Sequence, residues 1–130
     1  MERLELKFHD ALKALNTLKD ILKEPFSIIV RDAAIQRFEY TFEAFWKFLK
    51  EYLKEKEGII TNSPKSCFRE VFAVGYLTEE ETVRFLEMTD KRNATSHTYK
   101  EEVANIIYGC LMEYSEAMGN LLTKFSDVVD

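Results

Sequence analysis

The run Ile35-Gln36-Arg37-Phe38-Glu39-Tyr40-Thr41-Phe42-Glu43-Ala44-Phe45-Trp46-Lys47-Phe48-Leu49 decides the fold. Its apolar residues return every three or four positions, at Ile35, Phe38, Phe42, Phe45 and Leu49, which is the repeat of one helix face. The pattern extends from about Ser27 to Lys56, taking in Ile28, Tyr52 and Leu53. Trp46 and Phe48 widen the stripe until it nearly circles the helix. A helix of ~28 residues is ~40 Å long. One that is apolar on more than one side must be covered on more than one side. Two neighbours in the same chain would do this, and so would one neighbour with a second subunit.

The flanking segments carry the same period. Leu4, Phe8, Ala11, Leu12, Leu15, Leu18 and Leu22 form the stripe of a first helix of roughly 20 residues. Pro25 ends it by disfavouring helical geometry at Glu24. His9 lies beside that stripe and reads as a surface or boundary histidine. Gly58 stops the long helix, and Thr61-Asn62-Ser63-Pro64 connects it to the next. Ser63 as N-cap and Pro64 at the first helical position open a third helix. Cys67, Phe68, Val71 and Phe72 give that helix its apolar face, and Gly75 closes it.

Thr78 followed three residues later by Glu81 predicts a capping box at the start of a fourth helix. Glu79, Glu80 and Glu81 read there as a solvated helix start, favoured by the helix dipole. Val83, Leu86 and Met88 are its expected apolar residues, and it reaches Arg92. Thr98 and Glu101 spell a second capping box. The last helix is expected from about Tyr99 to Ser126, with Val103, Ile107, Cys110, Tyr114, Ala117, Met118, Leu121 and Phe125 on one stripe. No stretch alternates with period two for long enough to propose a sheet. The expectation is an all-α fold, an antiparallel up-and-down bundle of four or five helices, with residues 1–130 in a single domain.

Composition bounds the function. The formal net charge is −5, which argues against a general nucleic-acid coat protein but leaves room for a local basic site. Apolar residues make up 46% and charged residues 32%, the balance of a globular chain rather than a disordered one. Cys67 and Cys110 fall inside apolar helical patterns and read as buried free thiols, with no metal-binding spacing. No uninterrupted apolar run approaches the ~18 residues that span a bilayer. Glu2, Arg3, Glu5 and Lys7 make the N-terminus too charged for a signal peptide. The cytosol is the expected location, and no contact with a membrane is expected.

The densest chemistry lies in Asp90-Lys91-Arg92-Asn93-Ala94-Thr95-Ser96-His97-Thr98-Tyr99, between the last two helical patterns. Arg92 is a permanent cation able to grip phosphate oxygens bidentately. His97 could take a proton from an attacking hydroxyl or give one to a leaving oxygen, and a placed acid–base group is worth ~10²–10⁴ in rate. Asn93 or Ser96 could orient the imidazole or donate to the phosphate, and Lys91 adds a second cation. RNA carries its own nucleophile, the 2′-hydroxyl, so an arginine and a histidine can suffice to cleave it. No acidic or histidine cluster stands nearby to hold a metal, so such a reaction is expected to be metal-independent. On a regular helix Arg92 and His97 would point ~140° apart. Either a helix break near Ala94–Ser96 brings them together, or two copies of the segment from two subunits complete each other. By itself an arginine five residues before a histidine also fits a polar corner between two helices.

The context is more specific. Arg92-Asn93, then Ser96-His97-Thr98-Tyr99, resembles the R-N-x3-H-x-Y motif of the HEPN superfamily. Arg37 to Lys47, with Leu49-Lys50 and Tyr52-Leu53, resembles the second helix of its nucleotidyltransferase substrate-binding branch. Ser63-Pro64-Lys65, with Phe68-Arg69-Glu70 and Phe72, is similar to that branch's middle connector and helix. Glu102, Ala104 and Ile106-Ile107-Tyr108 are similar to the start of its last helix.

The resemblance implies a homodimeric helical bundle that assembles with a minimal nucleotidyltransferase subunit. It implies that the pair is a toxin–antitoxin module. Arg92 and His97 would then be the catalytic pair of a ribonuclease, Asn93 a supporting residue, and Tyr99 the phenol that the transferase silences with AMP. No cofactor and no metal are implied. The alternative is a non-catalytic subunit that holds a nucleotide or substrate for the transferase in the same groove. The cations near the motif, Lys91, Lys100, Arg69 and Arg84, offer RNA only a modest electrostatic footprint.

Overall fold

The computed structural model describes residues 2–129 and contains five α-helices. They are α1 (Arg3–Leu22), α2 (Ile28–Tyr52), α3 (Pro64–Ala73), α4 (Glu79–Ala94) and α5 (Glu101–Phe125). A π-helical turn, Leu53–Glu57, prolongs α2, and a 3-10 turn, Thr95–His97, follows α4. No strand occurs among the described residues. The chain is all-α, as the periodicity predicts.

α2 is the axis of the bundle. α1 packs along it, and α3, α4 and α5 cover its remaining faces. That answers the wide apolar stripe from within one chain. Phe38, Phe45, Phe48 and Leu49 are completely buried, and Phe42 nearly so. Each such side chain contributes roughly 1.5–3 kcal/mol through the surface it removes from water. Phe68 of α3 stacks on Phe85 of α4 with ring centroids 5.0 Å apart, and Phe85 stacks on Phe45 of α2 at 5.5 Å. These rings fasten the two short helices to α2. At the other end Phe125 of α5 meets Tyr76 at 4.3 Å and Tyr52 at 4.7 Å.

Most helix boundaries follow local chemistry. The Ser27 hydroxyl accepts from the Val30 N–H at 3.0 Å and caps α2. The Ser63 hydroxyl accepts from the Ser66 N–H at 3.3 Å, with Pro64 at the first helical position. At Thr78 both halves of the capping box form. The Glu81 N–H donates to Thr78 Oγ1 at 3.1 Å, and the Thr78 N–H donates to Glu81 Oε1 at 2.8 Å. Gly58 and Gly75 take the left-handed conformation, with φ of 68° and 97°, that ends their segments.

Four expected core residues face water instead, among them Leu12 of α1, whose neighbours Phe8, Ala11 and Leu15 take the inward positions. Val83 is 49% exposed, because Phe85 takes the inward position between the Phe45 and Phe68 rings. Two residues of helix turn Val83 about 200° away from it. Phe72 and Ile28 are also exposed, while Cys67, Phe68 and Val71 form the inward face of α3. His9 is exposed, with its imidazole 3.9 Å from Glu5 one turn earlier. Both cysteines are free; Cys67 is buried and Cys110 half-buried. Burial pushes the Cys67 thiol up to about 12. Among the described residues no helix is long and apolar enough to cross a membrane.

Candidate functional site at the corner between α4 and α5

Three hydroxyls end α4. Thr95 Oγ1 donates to the Arg92 carbonyl at 2.7 Å, Ser96 Oγ to the Asn93 carbonyl at 3.2 Å, and Thr98 Oγ1 to the Thr95 carbonyl at 3.2 Å. The last carbonyls of a helix lack an intrahelical donor. Hydroxyls reaching back three residues supply one and tighten the chain into a 3-10 turn. The Lys100 N–H then donates to the His97 carbonyl at 3.1 Å and closes the corner.

Arg92 leaves this corner towards α2. Its side chain is 26% exposed. Nη1 donates to Thr95 Oγ1 at 3.2 Å and lies 3.9 Å from Glu39 Oε2, while Nη2 lies 3.6 Å from Glu43 Oε1. Nε is buried and has no hydrogen-bond partner. Such a group is costly to leave unmade, and the guanidinium keeps donor capacity that the protein does not use.

His97 is exposed on the 3-10 turn, its ring edge-on to Tyr99 with centroids 6.0 Å apart. Tyr99 is 75% exposed, and Lys100 Nζ stands 5.9 Å from its ring centre. Asn93 is exposed, and Ser96 is exposed with its hydroxyl turned onto the Asn93 carbonyl. Lys91 is half-buried and lines a hollow of about 230 Å³ with Asp90, Ala94, Val103, Ile106 and Ile107. The helix break thus groups His97 with Tyr99 and sends Arg92 to the carboxylates of α2. Among the described residues no hydrogen bond joins Arg92 to His97 within the chain. No group of three histidine, cysteine or acidic side chains able to hold a metal occurs among the described residues.

The residue that fixes the corner is Arg31, which the apolar pattern did not single out. It is 3% exposed. Nη1 donates to Glu101 Oε2 at 2.6 Å and to Asn105 Oδ1 at 3.1 Å, Nη2 to Glu101 Oε1 at 3.3 Å, and Nε to Asp32 Oδ1 at 3.0 Å. The signal was available. Arg31 stands four residues before Ile35, on the register of the buried stripe of α2. Hydrogen bonds from Arg31 hold the Glu101 carboxyl below the usual carboxylate range, and Glu101 in turn raises the Arg31 guanidinium further.

This pair overturns the second predicted capping box. The Glu101 carboxylate faces Arg31 and the Thr98 hydroxyl faces the Thr95 carbonyl, so neither half of the box forms. α5 starts at Glu101 after an uncapped Lys100, not at Tyr99. Tyr99 therefore lies in the turn, off the helix, and its phenol stays in solvent.

Residues 6–127 match the family described as nucleotidyltransferase substrate binding protein like. The chain belongs to this family. A solved structure from Thermus thermophilus is 49% identical to this chain and superposes with a TM-score of 0.86, covering 89% of this chain and 98% of that one. The tri-AMPylated HEPN toxin of Shewanella oneidensis, solved in complex with its MNT antitoxin, superposes at 0.76 over 95% of this chain and 96% of its own. At 14% identity that likeness is one of fold: the two chains share the same helical-bundle architecture. A Haemophilus influenzae protein named "Probable ribonuclease HepT" is 29% identical over 85 residues, 62% of this chain. The match spans only 57% of that relative's own length.

Proposed function

We propose that the protein is the ribonuclease toxin of a HEPN and minimal-nucleotidyltransferase toxin–antitoxin module. Its cleavage is metal-independent, and AMP attached to Tyr99 silences it. The observation that carries this reading is the pairing, on one exposed turn, of the His97 imidazole with the Tyr99 phenol. His97 serves as the acid–base group and Arg92 as the cation for the scissile phosphate, with Asn93, Ser96 and Lys91 at the edge of the substrate. AMP on Tyr99 would add bulk and negative charge where an RNA phosphate has to sit. The names of the relatives from Shewanella and Haemophilus agree with this reading.

Within one chain Arg92 faces Glu39 and Glu43 rather than His97. The active arrangement is therefore a homodimer, in which the corner of one copy completes that of the other. Phe26, Ile29 and Ile106 are exposed apolar side chains around the start of α5 and suit such a contact.

RNA cleavage tests the reading. Purified protein in the presence of a chelator is expected to cut single-stranded RNA and leave 2′,3′-cyclic phosphate ends. His97→Ala is expected to lose ~10²-fold or more of the rate with its helical content unchanged. Cleavage unchanged in His97→Ala would refute the mechanism.

A second reading has a specific observation in its favour. Arg92 stands beside the Glu39 and Glu43 carboxylates and makes no bond to His97, which suits an arginine that binds rather than one that shares a reaction with the imidazole. The chain would then hold a nucleotide or other substrate for a separate nucleotidyltransferase, a reading in keeping with the family's description as nucleotidyltransferase substrate binding protein like. Nucleotide binding that weakens in Arg92→Ala, with no cleavage at any protein concentration, would favour it.

A further inference from the structure

Away from the corner the molecule has a second polar surface. A groove of about 420 Å³ between α1 and α2 is lined by Arg3, Lys7, Trp46, Lys47, Lys50, Glu51 and Lys54. Five of the seven lining residues are cations, in a chain whose net charge is −5. The only carboxylate of the lining, Glu51, is 7% exposed and held by Arg3 Nε at 2.6 Å. Four lysines thus face the groove without a carboxylate of their own in it. Like charges repel in this arrangement, so it carries an electrostatic cost that an anion would relieve.

Two neighbouring features give the groove direction. A smaller hollow of about 160 Å³ adjoins it, shares Lys50 and Lys54, and is lined further by Ile60, Thr61 and Asn62. Thr61 is 4% exposed, and its hydroxyl has no hydrogen-bond partner of ordinary geometry. At the other end Trp46 Nε1 donates to Glu43 Oε2 at 3.2 Å, and Glu43 Oε1 lies 3.6 Å from Arg92 Nη2. Lys50 Nζ stands 5.6 Å from the Trp46 ring centre. Glu43, Trp46, Lys47 and Lys50 on α2, and Lys54 on the π-helical turn that prolongs it, follow one another over ~16 Å, at a rise of ~1.5 Å per residue.

We propose that the groove of Lys7, Lys47, Lys50 and Lys54 is a track for the phosphate backbone of single-stranded RNA, leading along α2 to Arg92. The inference rests on the ribonuclease reading for its choice of polyanion. It accounts for how an acidic chain with few cations beside its motif could hold RNA. Cations spaced along a helix neutralise successive phosphates and release counterions without reading sequence.

The test is fluorescence anisotropy of a labelled single-stranded RNA in a salt series. The full chain carrying His97→Ala, which prevents cleavage, is compared with the same chain carrying Lys47→Gln, Lys50→Gln and Lys54→Gln as well. The lysine variant is expected to bind roughly tenfold or more weakly at low salt. Its salt slope should fall by about two, since each single-strand contact contributes about 0.7. Circular dichroism of both proteins checks that the surface substitutions leave the bundle folded. Equal affinity and slope in the two proteins, or no RNA binding by either, would overturn the inference. So would unchanged RNA binding with lost binding of the nucleotidyltransferase subunit, which would assign the groove to an acidic protein face. Binding through the lysines in a wild-type chain that never cuts RNA would sink the ribonuclease reading and leave the groove standing. Cleavage that ignores the lysines would do the reverse.

Discussion

Thr78-Glu79-Glu80-Glu81 and Thr98-Tyr99-Lys100-Glu101 share one spacing, yet the two segments fold differently. At the first, hydroxyl and carboxylate close on each other's backbone N–H groups and open α4. At the second, a buried guanidinium from α2 takes the carboxylate and the hydroxyl turns back onto Thr95. A charge-assisted, two-pronged bond from arginine outcompetes a single bond to a backbone amide. A capping box is therefore a competition whose outcome depends on what the tertiary fold brings near. Here the loss of the cap is what frees Tyr99 from the helix and exposes it.

The largest effect should come from removing the competitor. Arg31→Ala takes away the tether between α2 and the start of α5, together with the packing of a buried side chain. Its thermal midpoint is expected to fall further than that of any cap variant below, and amide exchange at Val103–Asn105 to speed up. An unchanged midpoint would show that Arg31 is not the anchor. Thr78→Ala should cost about 1 kcal/mol in chemical unfolding, the usual loss of a working N-cap. Thr98→Ala should stay within about 0.5 kcal/mol, because its hydroxyl caps no N–H of α5 and makes only one 3.2 Å bond to the Thr95 carbonyl. Equal losses at the two threonines would erase the contrast.

Acid separates the two glutamates more finely. Glu81 is lowered first by the Thr78 backbone hydrogen bond, and Glu101 by its hydrogen bonds with Arg31. A carboxyl that is lower in the folded chain adds stability above its unfolded value and loses it as pH falls through the folded one. Both contributions should therefore fade below about pH 4.5, the ordinary value, and Glu81→Gln and Glu101→Gln should each flatten that acid limb. At ~1 M salt, where the screening length is ~3 Å, the exposed Glu101 should lose more of its share than Glu81.

The fold was legible because apolar period and helix-stop chemistry agree along most of the chain. Ile35, Phe38, Phe42, Phe45 and Leu49 all lie in the core, and the Ser27 segment, Ser63-Pro64, Gly58 and Gly75 all mark element ends. Legibility failed where a side chain's partner comes from a distant element. Phe85 displaced Val83 because of rings on α2 and α3, and Glu101 left Thr98 because of Arg31, seventy residues away. The corner was legible as a polar break with its residues in order. The direction of Arg92 was not, since Glu39 and Glu43 sit on a helix some fifty residues earlier. The basic groove is not legible in the sequence because Arg3 and Lys7 join Lys47, Lys50 and Lys54 only once α1 lies against α2.

The proposed function puts the reactive imidazole and the phenol that controls it on one exposed turn. Its most direct measurement takes the intact mass and the RNA-cleaving activity of one sample, before and after incubation with the nucleotidyltransferase subunit and ATP. The expected result is a gain of AMP that maps to Tyr99, cleavage that falls in proportion, and no gain in Tyr99→Phe. Full modification of Tyr99 with cleavage undiminished would contradict it.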